Sequence, residues 1–475
     1  MKKYVENAII IMLLLRLQTM LWRYFLNMVN KISDLLKSRF DTFLLLFILF
    51  QPLLDLFTSL SIFLLKQDLT LGILIRFAIM LLGLLYLLTV DDKKTKLQVL
   101  SYLGILFVFF AISLANNFLV KEPMSIFAEG KNIAKLVYMT ILLFSYYYAF
   151  RALRKKAANW DIKLQNYITY SMIVIGAVMI IASLTGTGIK SYESIKKGHQ
   201  GWFFAGNELG AIMAICLPVV VYYALRNTKS WKTSYYWIPV VMIMFSLLAL
   251  GTKVGWGAIA IVLAVSLGMS IIELFWKKQK HLKYSIVINA VLLAIFFSIS
   301  QYTPVYFNTN VHLGWVGVDK EKIEENEVAI DDISEEGMTN IMLSGREKFL
   351  AMHKEYYAEA PTSQKLLGMG YAGNYEEEAK VVERDFHDLF YSFGSIGFVL
   401  FLLPYVVIAL WLLVTFLRHF LELFNTKNIL IGSGVVLALG IAYTAGHIFF
   451  APAASIYLAI MIAYLMNNFA EAREI

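Results

Sequence analysis

Apolar residues dominate this chain in long runs, and short polar stretches punctuate them. Read at helical length, the pattern predicts twelve spanning helices, over 42–65, 69–90, 97–115, 132–150, 165–186, 203–225, 235–250, 254–275, 284–302, 389–417, 428–445 and 447–466. Most of these runs approach the roughly 20 residues that a helix needs to cross about 30 Å of hydrocarbon. A soluble core could not hide so much apolar surface. The expected fold is therefore all-α, a polytopic transmembrane helical bundle of about 12 spanning helices. One large polar segment, 303–388, separates the ninth span from the tenth. An even number of spans puts both ends of the chain on the same side.

Residues 1–41 read differently. Positions 8–15 have the apolarity of a signal-peptide core, but Arg16 follows and no small-residue cleavage site appears. Polar Arg16, Thr19, Arg23, Asn27 and Asn30 recur at spacings of three and four, the period of one helical face. This predicts an amphipathic helix lying on the inner membrane surface. Met20 and Met28 are alternative starts that would remove much of it.

Composition agrees with the pattern. The 475 residues are 59% hydrophobic with a mean hydropathy of +0.65, and only 16% are charged, against about 25% in soluble domains. The net charge of +8 is spread over alternate loops rather than gathered on one basic face interleaved with aromatics. That distribution argues against nucleic acid as a partner and for the bilayer. A lone cysteine, Cys216, excludes an internal disulfide and a cysteine-rich metal site.

Loop charge also gives an orientation. One side holds the N-terminal segment with Lys93, Lys94, Lys96, Arg151, Arg154, Lys155 and Lys156, then Arg226, Lys229, Lys232, Lys277, Lys278, Lys280 and Lys283. The short loops of the other side hold only Lys66, Lys121, Lys131, Lys190, Lys196, Lys197 and Lys253. Positive residues accumulate on the cytoplasmic side, so the first side, with the tail 467–475, is expected to be the cytoplasm. The segment 303–388 is then extracytoplasmic. Its 319–336 stretch is strongly acidic and expected to be mobile. Ser344 and Glu347 have the spacing of a capping box, which predicts a helix through about Glu359, ended by Pro361. A glycine-rich turn covers 366–374, and a second acidic helix is expected to lead through Asp385-Phe-His-Asp388 into the tenth span.

Ionisable groups inside spans are costly and mark function by default. Asp55, Arg76, Lys131, Lys135, Glu208, Lys253, His387, Asp388 and His447 all fall in the outer half of the predicted bundle. Residues near helix ends also snorkel to the interface with no further role. Asp55 and Arg76 lie deeper, where pairing with each other is the alternative to function. A cluster this cationic suits an anion at the membrane surface, a lipid-linked phosphate above all. His199, His312 and His353 have no matching partner and read as surface residues.

Several local marks, in this order and at these topological places, carry a resemblance. They are Gln51-Pro-Leu-Leu-Asp55, Gly206-Asn-Glu-Leu-Gly210, Gly251-Thr-Lys253, Ser344-Gly-Arg346, Gly368-Met-Gly370, and Phe386-His-Asp388 followed by Gly394 and Gly397. With them the chain resembles the O-antigen ligase superfamily, which includes Wzy-type polysaccharide polymerases. The resemblance implies a metal-independent, cofactor-free transfer of glycan from undecaprenyl diphosphate to an acceptor glycan hydroxyl, outside the bacterial cytoplasmic membrane. It implies that Arg346 faces the diphosphate and that His387 serves the acceptor hydroxyl, with Asp388 beside it to orient the ring or to act as the base itself. Lys253 stands where many members have arginine, which keeps the charge but loses the bidentate fork. Arg76 and Lys135 join the diphosphate site in this reading, supported by Asp55, Asn207 and Glu208. Gly394 and Gly397 are explained by close helix packing alone.

The chemistry of these residue types fits the transfer. A histidine near neutral pKa suits proton removal from a hydroxyl, and arginine and lysine suit a departing diphosphate. A polymerase of lipid-linked repeat units leads, with other polysaccharide-assembly proteins as candidate partners; a ligase attaching finished glycan is the near alternative. A lipid-linked oligosaccharide flippase needs a polar path across the whole bilayer, and the inner half offers only Asp41 and Glu273 at its ends.

Overall fold

The computed structural model describes residues 2–66, 70–192, 195–315, 317, 320–325, 334, 345–376 and 378–473. Among the described residues, twelve helices are long and apolar enough to cross a membrane, one for each predicted span. In chain order they belong to α1 (Lys2–Leu65), α2 (Leu71–Thr89), α3 (Lys93–Val120), α4 (Ile126–Lys156), α5 (Trp160–Leu184) and α6 (Gly206–Asn227). Then come α7 (Ile238–Leu250, entered through a 3-10 turn), α8 (Lys253–Trp276) and α9 (Leu282–Ile299). The polar segment contributes α10 (Pro304–Trp315), α11 (Lys320–Glu324), α12 (Glu347–Glu359) and α13 (Thr362–Leu367). The chain ends in α14 (Asp385–Arg418), α15 (Phe420–Leu423), α16 (Thr426–Thr444) and α17 (Pro452–Ala472).

Several helices overrun their apolar cores. α4 is 31 residues long and α14 is 34, because a helix keeps its own backbone bonds satisfied beyond the hydrocarbon boundary. The segment before the first span is continuous with it: α1 runs 64 residues without interruption, with Pro52 inside.

Burial separates the helices into a centre and a ring. In α17 and α6, 89% and 83% of the spanning window is buried, whereas α14 buries 11%. α17 packs on α4 and α16, and α6 packs on α8 and α16. Central helices are therefore free to carry polar groups that meet across interfaces. Ser171 and Tyr457 lie 2.9 Å apart through their hydroxyls, Gln165 donates to the Tyr464 hydroxyl at 2.7 Å, and Thr140 meets Tyr405 at 3.1 Å. Such bonds contribute on average about 0.6 kcal/mol each in a membrane bundle, so close packing carries most of the association.

The two ends of the bundle differ. At one, the basic loops are knitted by Lys156–Asp41 at 2.6 Å, Arg151–Asp92 at 2.8 Å and Glu273 with Lys277 at 3.1 Å. At the other lie α10 to α13. Arg346 occupies the N-cap position of α12 and makes no side-chain cap bond; the expected capping box involves Ser344, which lies outside the described residues. Most of the acidic stretch 319–336 lies outside them too. The expected second acidic helix does not form: the described residues between Asn374 and Arg384 are non-helical, and Asp385 is the first residue of α14.

α14 is itself broken. Gly394 adopts φ 64°, ψ −174°, which interrupts the helical ladder, so Gly394 does not continue the helix face of His387. The turn after α13 fills the break. Met369 N–H donates to the Tyr391 carbonyl at 2.9 Å, and Gly370 N–H donates to the Ser392 carbonyl at 3.0 Å. A break in a spanning helix is tolerated when protein supplies the missing partners, and here the glycine-rich turn supplies them.

Candidate functional site

The first turn of α14 carries three chemistry-bearing residues, and two of them are committed to the backbone. Asp388 is buried; its Oδ1 accepts the Val382 N–H at 2.7 Å and its Oδ2 accepts the Arg384 N–H at 3.0 Å. Asp385, also buried, accepts the N–H groups of Ile448 and Phe449 at 2.8 and 2.9 Å. Both carboxylates sit at a helix N-terminus, where negative charge is favoured. Asp385 pins α14 to the connection between α16 and α17, and Asp388 ties it to the segment that precedes it. Between them His387 is half-buried, with its ring 6.4 Å from that of Tyr443 and its Nδ1 buried without a partner. Arg384 and Lys354 are the charged groups near it. Asp388 makes no hydrogen bond to this imidazole, so orientation of the ring by Asp388 is not what the structure has.

A second group of residues is linked through Arg346. Arg346, at the start of α12, pairs with Glu383 at 3.2 Å. Lys253 opens α8 with Nζ 3.3 Å from His312 Nδ1, and Lys196 is within electrostatic reach of both Lys253 and Arg346. His447, in the α16–α17 connection, places Nε2 3.3 Å from Asn207 Nδ2 at the start of α6. Burial holds the His447 pKa below its ordinary value; Glu383 opposes this, and Arg346 and Lys135 add to it. Asn207 is exposed and lines a cavity of about 380 Å³ with Tyr192, Gln200 and Thr252.

A third group lies among the helices. Arg76 is buried and bonds Asp55 Oδ1 at 2.6 Å and Gln51 Oε1 at 3.1 Å, so the pairing of Asp55 with Arg76 is the arrangement adopted. Glu208 is half-buried and sits in the field of Asp55, Arg76 and Lys135. Lys135 in turn lies near Glu208 and Asp385, and near His447. Arg76 is thus neutralised where it stands, while Lys135 links the interior group to the cations around His447.

The sites expected from sequence therefore fall into two neighbouring sets. Arg346, Lys253 and Asn207 gather with His447, Lys196 and Glu383, to which no role was assigned from sequence, at a mouth on the end of the bundle that holds α10 to α13; His387 follows Glu383 by four residues at the start of α14. Arg76, Asp55 and Glu208 form the set beneath. Two histidines expected at the surface are not there. His312 is 4% exposed and meets Lys253, and His353 is 2% exposed, with Nδ1 2.9 Å from the Phe349 carbonyl. His199 is half-buried and accepts the Gly201 N–H at Nδ1. Lys253 beside His312 lies on α8, and the Tyr391 ring beside His353 lies on α14, contacts that the local pattern does not report.

Another buried pair escaped the sequence reading. Lys121 and Glu129 meet at 2.7 Å, Lys121 also donates to the Tyr371 carbonyl at 2.7 Å, and Glu129 accepts the Tyr371 N–H at 2.8 Å. This pair fixes the glycine-rich turn that fills the break in α14. Two opposite charges eight residues apart around the short α3–α4 turn were the available signal.

Set beside known proteins, the chain has a clear kinship. A family model described as O-antigen ligase like membrane protein matches residues 37–472, nearly the whole length. The chain belongs to this family. No individual curated protein matches closely enough to narrow the likeness. As a member of the O-antigen ligase like family, the chain is a multi-pass membrane enzyme that handles glycans, of ligase or polymerase type. The match spans all of the residues gathered at the mouth, from Lys196 to His447.

Proposed function

We propose that this family member transfers glycan from undecaprenyl diphosphate to an acceptor sugar hydroxyl, and that it polymerises lipid-linked repeat units of a surface polysaccharide. The observation that carries this reading is the cationic group of Arg346, Lys196 and Lys253, with Arg346 in the field of His447 and paired to Glu383, four residues before the half-buried His387, at the end of the bundle that holds α10 to α13. Loop charge supports an extracytoplasmic placement of that end, and the family kinship supports the bacterial cytoplasmic membrane as its location. A cysteine at Ser334, in a Cys216→Ser background, should then react with an impermeant maleimide in intact cells. A cysteine at Lys155 should react only after permeabilisation, and the reverse pattern would overturn the orientation.

In this mechanism His387 takes the proton of the acceptor hydroxyl as that oxygen bonds to the anomeric carbon. The bond from the anomeric carbon to the diphosphate oxygen breaks, and its electron pair leaves with the diphosphate. Arg346 and Lys253, with Lys135 behind them, meet the growing negative charge. Asp388 acts as a positioning residue, because its carboxylate is spent on the backbone of the turn that presents His387. Asp55, Arg76 and Glu208 hold the helices beneath the site in register.

The deciding experiment is to delete the gene and identify the lipid-linked glycan that accumulates. Single repeat units support a polymerase. Long chains still on lipid favour the ligase reading, and repeat units trapped on the cytoplasmic leaflet favour a flippase and overturn both.

A further inference from the structure

His447 stands in a backbone conformation that its residue type avoids, with φ at +65°. Two contacts impose it. The preceding Gly446, itself at φ +67°, approaches the Glu383 carbonyl so closely that a Cβ would lie 2.6 Å from that oxygen. On the other side, Asp385 draws the N–H groups of Ile448 and Phe449 onto its carboxylate. Strained residues of this kind persist where the surroundings over-determine them, and they concentrate at functional sites. Glycine would make the same turn at no steric cost. The chain has histidine there instead.

The imidazole reaches across to the start of α6. Its Nε2 lies 3.3 Å from the Asn207 amide nitrogen, and an amide that donates there fixes the neutral tautomer with the proton on Nδ1. The charged groups that face it are Glu383 from the connection before α14, Arg346 from α12 and Lys135 from α4, with Asp385 beneath the same loop. Burial and the two cations favour the neutral ring, which Glu383 opposes, and a neutral ring still offers one directional N–H.

We propose that His447 is a binding residue of the transfer site, donating its Nδ1–H to the diphosphate of the lipid-linked donor beside Arg346 and Lys135. This rests on the glycan-transfer reading above. Lysine supplies charge with little direction, whereas an imidazole held by a fixed loop and by Asn207 specifies where one phosphate oxygen sits. Its bond strengthens as the diphosphate departs and gathers charge, so the contribution belongs to turnover.

The test compares His447→Gly, His447→Asn and Arg346→Ala in the purified full-length protein, with a synthetic undecaprenyl-diphosphate-linked repeat unit as probe. His447→Gly keeps the left-handed turn and removes only the ring, so the protein should be at least as abundant and as heat-stable as the parent. Its kcat should fall by about 10²-fold, the scale on which single oxyanion donors act, with little change in KM. His447→Asn tolerates positive φ and carries an amide donor, so it should recover part of that loss. Normal kcat in His447→Gly overturns the proposal. Loss of folded protein in His447→Gly overturns it too, since the imidazole would then be structural. Retained activity in Arg346→Ala would instead bring down the glycan-transfer reading of the cations, so the two failures are told apart.

Discussion

Gly368 and Gly394 meet backbone to backbone: a Cβ on Gly394 would lie 2.6 Å from the Gly368 nitrogen. One on Gly368 would run into the Ser392 carbonyl. Both residues have positive φ, +95° and +64°. The contact seals the break in α14 and thereby sets the direction from which His387 enters the site.

Alanine at either glycine should therefore destabilise the protein. Overpacking costs about 1–3 kcal/mol, and the left-handed backbone adds about 1 kcal/mol more. Gly440→Ala, where a Cβ would meet nothing, is the control. Thermal unfolding in detergent should show Gly368→Ala and Gly394→Ala melting well below both the parent and the control. Parental melting of Gly394→Ala would mean that the junction is loose enough to admit a methyl group.

The junction also marks the limit of what the sequence discloses. The spans were legible because apolar length is a local property, and each predicted run has its helix. Ion pairing within the bundle was legible only as an alternative, as with Asp55 and Arg76, which are 21 residues apart and do meet. Contacts between distant elements were not legible. Gly394 looked like a packing glycine, yet its neighbours are Leu366 and Gly368 of the outer segment. His353 looked exposed because α12 is polar, but the aromatic rings of Tyr356 and Tyr391 enclose it. His447 was visible as a polar residue near a helix end, and only the loop geometry gives it a conformation that calls for a reason.

His353 yields a pH-dependent stability. Burial pushes its pKa below the ordinary value, the bond to the Phe349 carbonyl opposes this, and the Lys121 charge adds to the lowering. Folding therefore favours the neutral ring. A group whose folded pKa is depressed stabilises above its unfolded pKa, about 6.5 for histidine, and that stability drains away as pH falls towards the folded value. Melting temperature should thus drop between pH 7 and pH 5. His353→Gln, which keeps a donor for the Phe349 carbonyl and does not titrate, should lose less over the same interval. Parallel pH profiles for the two proteins would refute the assignment.

Arg346 and Lys253 should respond differently to conservative exchange. Arg346→Ala should abolish transfer, and Arg346→Lys should restore little, because a point charge cannot make two parallel hydrogen bonds. Lys253→Arg should be tolerated, since it retains the charge and adds donors at a position where Nζ already meets the His312 ring. The measurement is the rate on purified lipid-linked glycan at matched protein levels. Full activity in Arg346→Ala would remove Arg346 from the leaving-group site.

His387 and Asp388 are neighbours in sequence with different expected failures. His387 has an unpartnered Nδ1 and no hydrogen bond that holds the fold, so His387→Ala should leave abundance and donor binding intact. Loss of a general base typically costs about 10² to 10⁴-fold, and it should appear in turnover. Asp388 holds two backbone N–H groups in a buried place, so Asp388→Ala leaves both without partners, at about 1–3 kcal/mol for each unsatisfied group. That variant should be scarce and heat-labile, and its residual activity per folded molecule should exceed that of His387→Ala. Activity must therefore be normalised to folded protein, by size-exclusion chromatography in detergent, before the two are compared. If folded Asp388→Ala is dead while His387→Ala turns over normally, the aspartate removes the proton and the imidazole does not.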